Sequence, residues 1–371
     1  MSRIIVLGSI DESLVNFRRC LLEKMVADGH QVFACAPNAS LENRDKLSKM
    51  GVTYYNVNLE RTGLNPIKDL MTFYELIQLF KRIKPDIFLG YTIKPVTYGS
   101  LAARFAGVSK IYTMIEGVGY AFLGMGLKSK IISIIASNLY RLALRFNEKI
   151  FFLNPDDLDM FLGRKLLRDD QAVMLNGIGV DLEKFSVLPY PDSVSFLLIA
   201  RLLRDKGVCE YAEAARIIKQ KYPESRFRLV GFIDANNPAT ISEEELNSWI
   251  NSATIEFLGR LYDVRPAIAD TSVYILPSYH EGMPVTVMEA MAMGRPVITT
   301  ESPGCRETVR NGENGFLVPV KDVPALVEAI EYFIRQPDDI KRMGQASRQI
   351  AEDKYDVHKV NAVIFKTMEL S

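Results

Sequence analysis

Short apolar runs rich in β-branched residues alternate with segments of helical period from one end of the chain to the other, which limits the fold to parallel sheets built from βαβ units. In the first half the strand-like runs are Arg3–Gly8, Gln31–Ala36, Thr53–Val57, Asp86–Tyr91, Lys110–Ile115, Lys149–Leu153 and Ala172–Leu175. After Gly177-Ile-Gly-Val-Asp181 a stretch near 182–193, with Pro189 and Pro191, loses helical period. The pattern then restarts at Ser195–Ala200 and continues through Arg226–Gly231, Thr254–Leu258, Val273–Pro277, Pro296–Thr300 and Gly315–Pro319. The expected architecture is α/β with two doubly wound domains, 1–185 and 186–354. Such sheets bind ligands outside the carboxyl ends of their strands, so the loops at those ends, facing the cleft between domains, are the place to look for chemistry.

The 371 residues suffice for two such domains, and 48% apolar with 24% charged residues is the composition of a globular protein with a sizeable core. Lys and Arg number 45 and so do Asp and Glu; no overall field draws a polyanion, and nucleic acid is not expected as a partner. Cys20, Cys35, Cys209 and Cys305 are far apart, form no C-x-x-C pair and have no His at ligand spacing, so they read as buried thiols. The N-terminal MSRIIVLGSID turns polar too soon for a signal peptide, and Ile131–Ala143, the nearest candidate for a membrane span, is interrupted by Ser, Asn, Tyr and Arg. A cytoplasmic protein is expected, one that does not cross a bilayer but can lie on its inner face.

The most informative stretch is Pro277-Ser-Tyr-His-Glu-Gly-Met-Pro-Val-Thr-Val-Met-Glu-Ala-Met-Ala-Met-Gly-Arg-Pro-Val297. A strand ends at Pro277, a loop carries Glu281-Gly282, and Pro284 sits where a first-turn proline starts a helix. The N–H groups of that turn, with Gly282 allowing close backbone approach, suit a phosphate. Glu281 before the helix and Glu289 inside it offer two acceptors of different reach, fitted to hydroxyl groups rather than to metal. Gly294-Arg295-Pro296 closes the helix and enters the next strand.

Glu281 and Glu289 with seven residues between them, followed by Gly-x-Pro-Val, resemble the donor-site signature of the large retaining glycosyltransferase family four, which has the GT-B fold of two Rossmann-like domains. Ala200-Arg201-Leu-Leu-Arg-Asp-Lys206-Gly207 resembles that family's Arg and Lys pair, which grips the donor diphosphate. Cleaving a sugar from a nucleoside diphosphate develops negative charge on the leaving phosphate, and fixed cations stabilise it without a metal. The resemblance implies a UDP-sugar donor, no cofactor, and catalytic roles for Arg201, Lys206 and Glu281. It also implies donor contacts from the Gly282, Met283, Pro284, Val285 and Thr286 backbone, from Glu289 to the ribose, and from Arg260 and Leu261 to the base. In folds of this type the last helix crosses back to the first domain, which assigns 355–371 there.

The first half narrows the resemblance. Tyr91-Thr-Ile-Lys-Pro-Val-Thr-Tyr-Gly-Ser-Leu-Ala-Ala103 and Ile115-Glu-Gly-Val-Gly-Tyr-Ala-Phe122 resemble bacterial enzymes that add a hexose or N-acetylhexosamine to an undecaprenyl-diphosphate-linked sugar. These include the N-acetylgalactosaminyltransferases of protein glycosylation and enzymes of O-antigen and capsule assembly. Where many members place a His, this chain has Glu116-Gly117, so Glu116 is the candidate at the reacting centre. The loop Gly8-Ser9 to Arg18 resembles the acceptor side, and with Lys94 and Gly117 it makes Ser9 and Arg18 the acceptor-binding candidates. Between Tyr120 and Lys149, five cations (Lys128, Lys130, Arg141, Arg145 and Lys149) stand against Glu148 alone beside an apolar run. A basic amphipathic helix of this kind rests on anionic headgroups, which suits a lipid-linked acceptor.

Two features read more plainly. His280 neighbours Glu281 in sequence and so points away from it, and Asp157-Leu-Asp159, formally D-x-D, falls in a first helical turn after Asn154-Pro155, where Asp is ordinary. A UDP-sugar 2-epimerase on a similar fold needs His residues that this chain, with three, largely lacks. A noncatalytic sugar-nucleotide-binding protein remains the other alternative. A dinucleotide oxidoreductase is disfavoured because G-S-I-D-E-S, not G-x-G-x-x-G, follows the first strand.

Overall fold

The computed structural model describes residues 1–60, 65–118, 122, 127–235 and 237–370, with the backbone alone at 127–129. The chain forms two units, Met1–Ile178 with Val360–Ser371, and Gly179–Lys359. The sequence places the change at 185 and the return at 355. Backbone bonds from the Val180 N–H to the Tyr355 carbonyl (2.7 Å) and from the Val357 N–H to the Val180 carbonyl (3.1 Å) hold the linker's start within the second unit.

In the first unit seven parallel strands lie in the order β3-β2-β1-β4-β5-β6-β7. They are β1 Arg3–Leu7, β2 Gln31–Ala36, β3 Thr53–Asn56, β4 Ile87–Tyr91, β5 Lys110–Ile115, β6 Lys149–Phe152 and β7 Ala172–Met174. The central strands are buried on both faces, which is why they read as continuous apolar runs rather than alternating ones. The second unit has six parallel strands in the order β10-β9-β8-β11-β12-β13. These are β8 Ser195–Ile199, β9 Arg226–Val230, β10 Glu256–Phe257, β11 Val273–Leu276, β12 Val297–Thr300 and β13 Gly315–Val318. The α/β, doubly wound reading of the sequence therefore holds in both halves.

Each sheet reverses its strand order once, at β1/β4 and at β8/β11. At such a reversal the helices leave to opposite faces and a crevice opens beyond the strand ends. The loops after β1 and β4 carry Ser9 and Lys94; those after β8 and β11 carry Arg201, Lys206 and Glu281.

Local differences from the sequence reading are small. The strand expected over Thr254–Leu258 pairs only through Glu256 and Phe257, against Arg228 and Leu229. After β12 the chain makes a single 3-10 turn, Arg306–Thr308. Pro284 is the residue before the helix Val285–Ala292, extended at φ −74°, ψ 107°, rather than its first helical residue. The last helix runs Val357–Met368, behind a π-helical turn at Ala351–Tyr355.

Candidate active site

At the reversal point of the second sheet, the chain leaving β8 makes a 3-10 turn, Arg204–Lys206, ended by Gly207 at φ +72°. A Cβ on Gly207 stands 2.1 Å from the Pro277 carbonyl oxygen, so only glycine lets the loop after β8 lie against the end of β11. The Tyr279 N–H donates to the Asp205 carbonyl at 2.9 Å and the Ser278 hydroxyl to the same oxygen at 3.2 Å, locking the two loops together. This brings Lys206 Nζ to 2.6 Å from Glu281 Oε1, each side chain 17% exposed. Residues 75 positions apart in sequence thus form one ion pair at the strand ends. Arg201, two residues beyond β8, lies 3.2 Å through Nη1 from Asp234 Oδ2.

The Glu281 loop is held from its other side. The Glu281 N–H donates to the Pro303 carbonyl at 3.0 Å, and the Ser302 and Thr300 hydroxyls, at the end of β12, both donate to the Ser278 carbonyl. Gly282, Met283 and Pro284 are buried. The N-cap of the helix Val285–Ala292, Pro284, makes no side-chain cap bond, and the Tyr274 hydroxyl bonds Thr286 Oγ1 at 2.7 Å, tying the first turn back to β11. The Thr286 hydroxyl also donates to the Ile199 carbonyl at 3.4 Å, which sets the helix start at the end of β8, whose loop carries Arg201 and Lys206, and a helix start there suits an anionic group.

Glu289 lies one turn further along. Desolvation pushes its carboxyl up to about 8; Lys184 opposes the shift and Asp263 adds to it. At neutral pH it is mostly a neutral acid, able to donate one hydrogen bond and accept others. Arg260 follows β10 with its guanidinium 4.8 Å over the Phe232 ring and 5.5 Å from that of Tyr262, and Leu261 is half-buried beside it. A planar cation stacked on an aromatic ring is a platform for a flat heterocycle.

In the first unit a second cluster forms at the β1/β4 reversal. Arg18, 2% exposed, pairs through Nη2 with Glu116 Oε1 and sets its guanidinium 4.5 Å over the Tyr91 ring. The Tyr91 hydroxyl bonds Ser13 Oγ at 2.7 Å, and the Ser9 and Thr92 hydroxyls bond each other. Lys94 Nζ lies 2.6 Å from Asp69 Oδ1, and the Tyr98 hydroxyl donates to Asp69 Oδ2 at 3.1 Å. Desolvation and Asp69 together push the Tyr98 hydroxyl up to about 12. Arg18 and Lys94, read from sequence as cations for the acceptor, are thus each held against a carboxylate, and Arg18 acts on its surroundings by orienting Glu116. Gly117, at φ +135°, turns the chain directly after that carboxylate.

Sequence reasoning overlooked Asp234, Asp69, Phe232, Lys184 and Asp263, which lie in loops or helices without motif character. It also overlooked Arg295, read only as part of a helix ending. Arg295 has no exposed surface and donates to the carbonyls of Ile268, Leu188, Met293, Pro189 and Ala269. Asp157 is buried as part of a helix cap, its N–H donating to Asn154 Oδ1 at 2.8 Å. Among the described residues no group of three or more His, Cys, Asp or Glu is placed to hold a metal ion, and the four cysteines are free thiols. Of the basic segment, 120–121 and 123–126 and the side chains of 127–129 lie outside the described residues; Lys130 and Arg141 lie on the helix Leu127–Leu144, Arg145 in the turn after it and Lys149 at the start of β6. No helix among the described residues is long and apolar enough to cross a membrane.

Comparison with known proteins bears on both units. Residues 193–336 match the family described as glycosyl transferases group 1, and residues 3–154 match glycosyl transferase 4-like. A putative colanic acid biosynthesis glycosyltransferase, WcaL of Salmonella typhimurium, is 30% identical over 320 residues, 81% of this chain and 74% of that one. The chain belongs to this glycosyltransferase family. Over 371 residues, 95% of each chain, the enzyme is 28% identical to the N,N'-diacetylbacillosaminyl-diphospho-undecaprenol alpha-1,3-N-acetylgalactosaminyltransferase of Campylobacter jejuni. Among solved structures it matches Anabaena HepE in complex with UDP and glucose, with a TM-score of 0.80 at 18% identity over the whole of both chains. A sucrose-phosphate synthase from Thermosynechococcus elongatus matches with a TM-score of 0.81 at 17% identity, over 100% of this chain and 98% of that one. The GT-B fold expected from the sequence is the fold this glycosyltransferase has.

Proposed function

We propose that this glycosyltransferase moves a hexose or N-acetylhexosamine, with N-acetylgalactosamine the first sugar to test, from a UDP-sugar to a polyprenyl-diphosphate-linked sugar in bacterial surface glycan or glycoprotein biosynthesis. The observation that carries the reading is the Lys206–Glu281 pair at the β8/β11 reversal, in whose β8 loop Arg201 also lies. Arg201 and Lys206 bind the diphosphate, Glu281 the sugar hydroxyls, Glu289 the ribose, and Arg260 with Leu261 the base. The likeness to the Campylobacter jejuni transferase over nearly the whole of both chains supports the acceptor class.

The reaction proceeds with retention. The acceptor hydroxyl oxygen bonds to the anomeric carbon on the face from which the diphosphate departs, the carbon–oxygen bond to the diphosphate breaks, and the hydroxyl proton passes to a departing phosphate oxygen. Arg201 and Lys206 meet the charge that develops there, so no metal is needed. The acceptor side is formed by Ser9, Glu116 and Gly117, with Arg18 and Lys94 fixing the carboxylates around them. The protein works at the inner face of the cell membrane, in peripheral contact through its basic helix.

The test is transfer by the purified protein from a panel of UDP-sugars to a lipid-linked acceptor, with product detected by mass spectrometry and its anomeric configuration by NMR. Product with one sugar, lost in Glu281→Ala, is expected. An epimerised UDP-sugar formed without acceptor, or UDP-sugar binding that Glu281→Ala leaves unchanged with no product, overturns the reading.

A further inference from the structure

The first unit has an open groove on its outer helix surface, on the basic helix and apart from the candidate site residues. It has a volume of about 380 Å³ and is lined by Ser133, Ile134, Ser137, Asn138, Arg141 and Arg164. Ser133, Ser137 and Arg141 share one face of the helix Leu127–Leu144 at spacings of four, and Arg164 follows the next helix, Pro155–Gly163. Arg141 is fixed by three bonds: Nε to the Lys165 carbonyl (3.2 Å), Nη2 to the Arg164 carbonyl (3.2 Å) and Nη1 to Asn138 Oδ1 (2.7 Å). Arg164 donates through Nη1 to Ser133 Oγ at 2.7 Å and lies 4.9 Å over the Phe122 ring.

Two guanidinium groups therefore converge on one groove, and among the described residues neither is in an ion pair. Like charges brought together without a carboxylate call for an anion, and guanidinium with hydroxyl donors fits phosphate oxygens. The ordinary role of Arg141, satisfying carbonyls at the end of the Pro155–Gly163 helix, accounts for its position but not for Arg164 beside it.

The surroundings of the groove are apolar. Ile131, Ile134 and Ile135 are 51%, 61% and 54% exposed on the same helix. The helices linking β3 to β4, β4 to β5 and β5 to β6 lie on one face of the sheet by the handedness of their crossovers. Helix Ser100–Ala106 packs against both Pro66–Ile83 and Leu127–Leu144. The Pro66–Ile83 helix adds Ile67, Leu70, Met71 and Tyr74, each at least 64% exposed, at spacings of three and four residues. Exposed Lys81, Arg82, Arg104, Lys130 and Arg145 lie on the same three-helix surface or directly at its ends. A groove with two guanidinium groups among exposed isoleucines is complementary to an amphiphile with an anionic head rather than to a free ion or an acidic protein.

We propose that the Ser133, Ser137, Arg141 and Arg164 groove is a docking site for the headgroup phosphate of an anionic phospholipid, with Ile131, Ile134 and Ile135 entering the acyl boundary beside it. This deepens the membrane contact in the proposed function by naming the residues and the lipid chemistry. It does not depend on which sugar or acceptor is used.

The experiment is sedimentation of the full-length protein with vesicles of phosphatidylcholine alone or mixed with phosphatidylglycerol. Variants are Arg164→Ala, which removes one cation, and Ser137→Asp, which adds a carboxylate and breaks no bond described above. At ~1 kcal/mol per charge near a membrane surface, each variant is expected to weaken binding to the phosphatidylglycerol vesicles about fivefold. Ile134→Ser is expected to weaken it as well. Unchanged thermal unfolding of Ser137→Asp separates this loss from misfolding. Equal binding to both vesicle types, or binding that none of the three variants alters, overturns the proposal. So does displacement from the vesicles by millimolar inorganic phosphate, which assigns the groove to a free anion. Transfer to a short-chain, water-soluble acceptor analogue is measured in parallel. Its retention in variants that no longer bind vesicles supports the docking site, whereas absent transfer in the unaltered protein refutes the proposed function and leaves the vesicle result to decide the site.

Discussion

Glu289→Gln tests the electrostatics of the second unit because it removes a titrating group while keeping its shape and hydrogen-bonding capacity. Burial raises the Glu289 carboxyl from 4.5 to about 8, Lys184 partly offsetting the shift and Asp263 increasing it. In the unfolded chain the proton leaves near 4.5; in the folded one it stays until about 8. Between those values the folded state holds a proton that the unfolded state has lost, so the contribution is fully present below 4.5 and disappears as pH rises through about 8. The gap corresponds to ~5 kcal/mol over the whole window, of which ~3.5 kcal/mol falls between pH 5 and pH 8. The chain's single tryptophan, Trp249, packs against the core of the second unit, so its fluorescence during urea unfolding reports that unit. The unaltered protein is expected to lose stability relative to Glu289→Gln across this range. Parallel stability curves from pH 5 to pH 8 refute the buried neutral carboxyl. The same chemistry predicts that Glu289→Gln keeps UDP affinity within a few-fold, because a neutral acid and an amide both donate and accept, while Glu289→Ala weakens it about tenfold.

Arg295→Leu removes a donor set that satisfies five backbone carbonyls in a fully buried position and is expected to destabilise the second unit by ~3–5 kcal/mol, read by Trp249. Gly207→Ala forces a Cβ to 2.1 Å from the Pro277 carbonyl oxygen at positive φ; the β8 and β11 loops must part, and UDP-sugar thermal shift is expected to shrink even where the protein stays folded. Lys206→Ala is expected to lower kcat about 100- to 1000-fold, as the loss of one charge-stabilising group does elsewhere. A double-mutant cycle with Glu281→Gln is expected to be non-additive because the two side chains form one pair.

Both sheets were readable because their central strands are covered on two faces, and covered strands such as Ile4–Leu7 and Phe196–Ile199 are apolar without interruption. The separation of Glu281 from Glu289 was readable because strand, loop and helix follow one another locally. The partners of the charged residues were not. Asp234 meets Arg201 across 33 positions, Asp69 meets Lys94 across 25 and Glu116 meets Arg18 across 98; each pairing is set by strand order, which a local pattern does not encode. Arg295 was missed for a related reason. A Gly-Arg-Pro turn reads as exposed, and only the packing of 188–189 and 268–269 around it shows that the guanidinium is enclosed.

The pairing of Arg201 and Lys206 with carboxylates bears on which substrate suits the donor end. Arg201 and Lys206 face Asp234 and Glu281, so the four side chains sum to no net charge, and a bare polyanion meets repulsion along with attraction. A nucleotide sugar answers both halves: its diphosphate joins the cations while its hydroxyls donate to the carboxylate. Under the proposed assignment, Lys206 stands toward the leaving diphosphate and Glu281 toward the sugar. As the anomeric bond stretches, negative charge grows on the diphosphate and positive charge on the ring, so both members of the 2.6 Å pair interact more strongly with the transition state than with the bound donor. An interaction that strengthens in this way raises kcat rather than merely lowering KM, and for that reason loss of either side chain should fall chiefly on kcat.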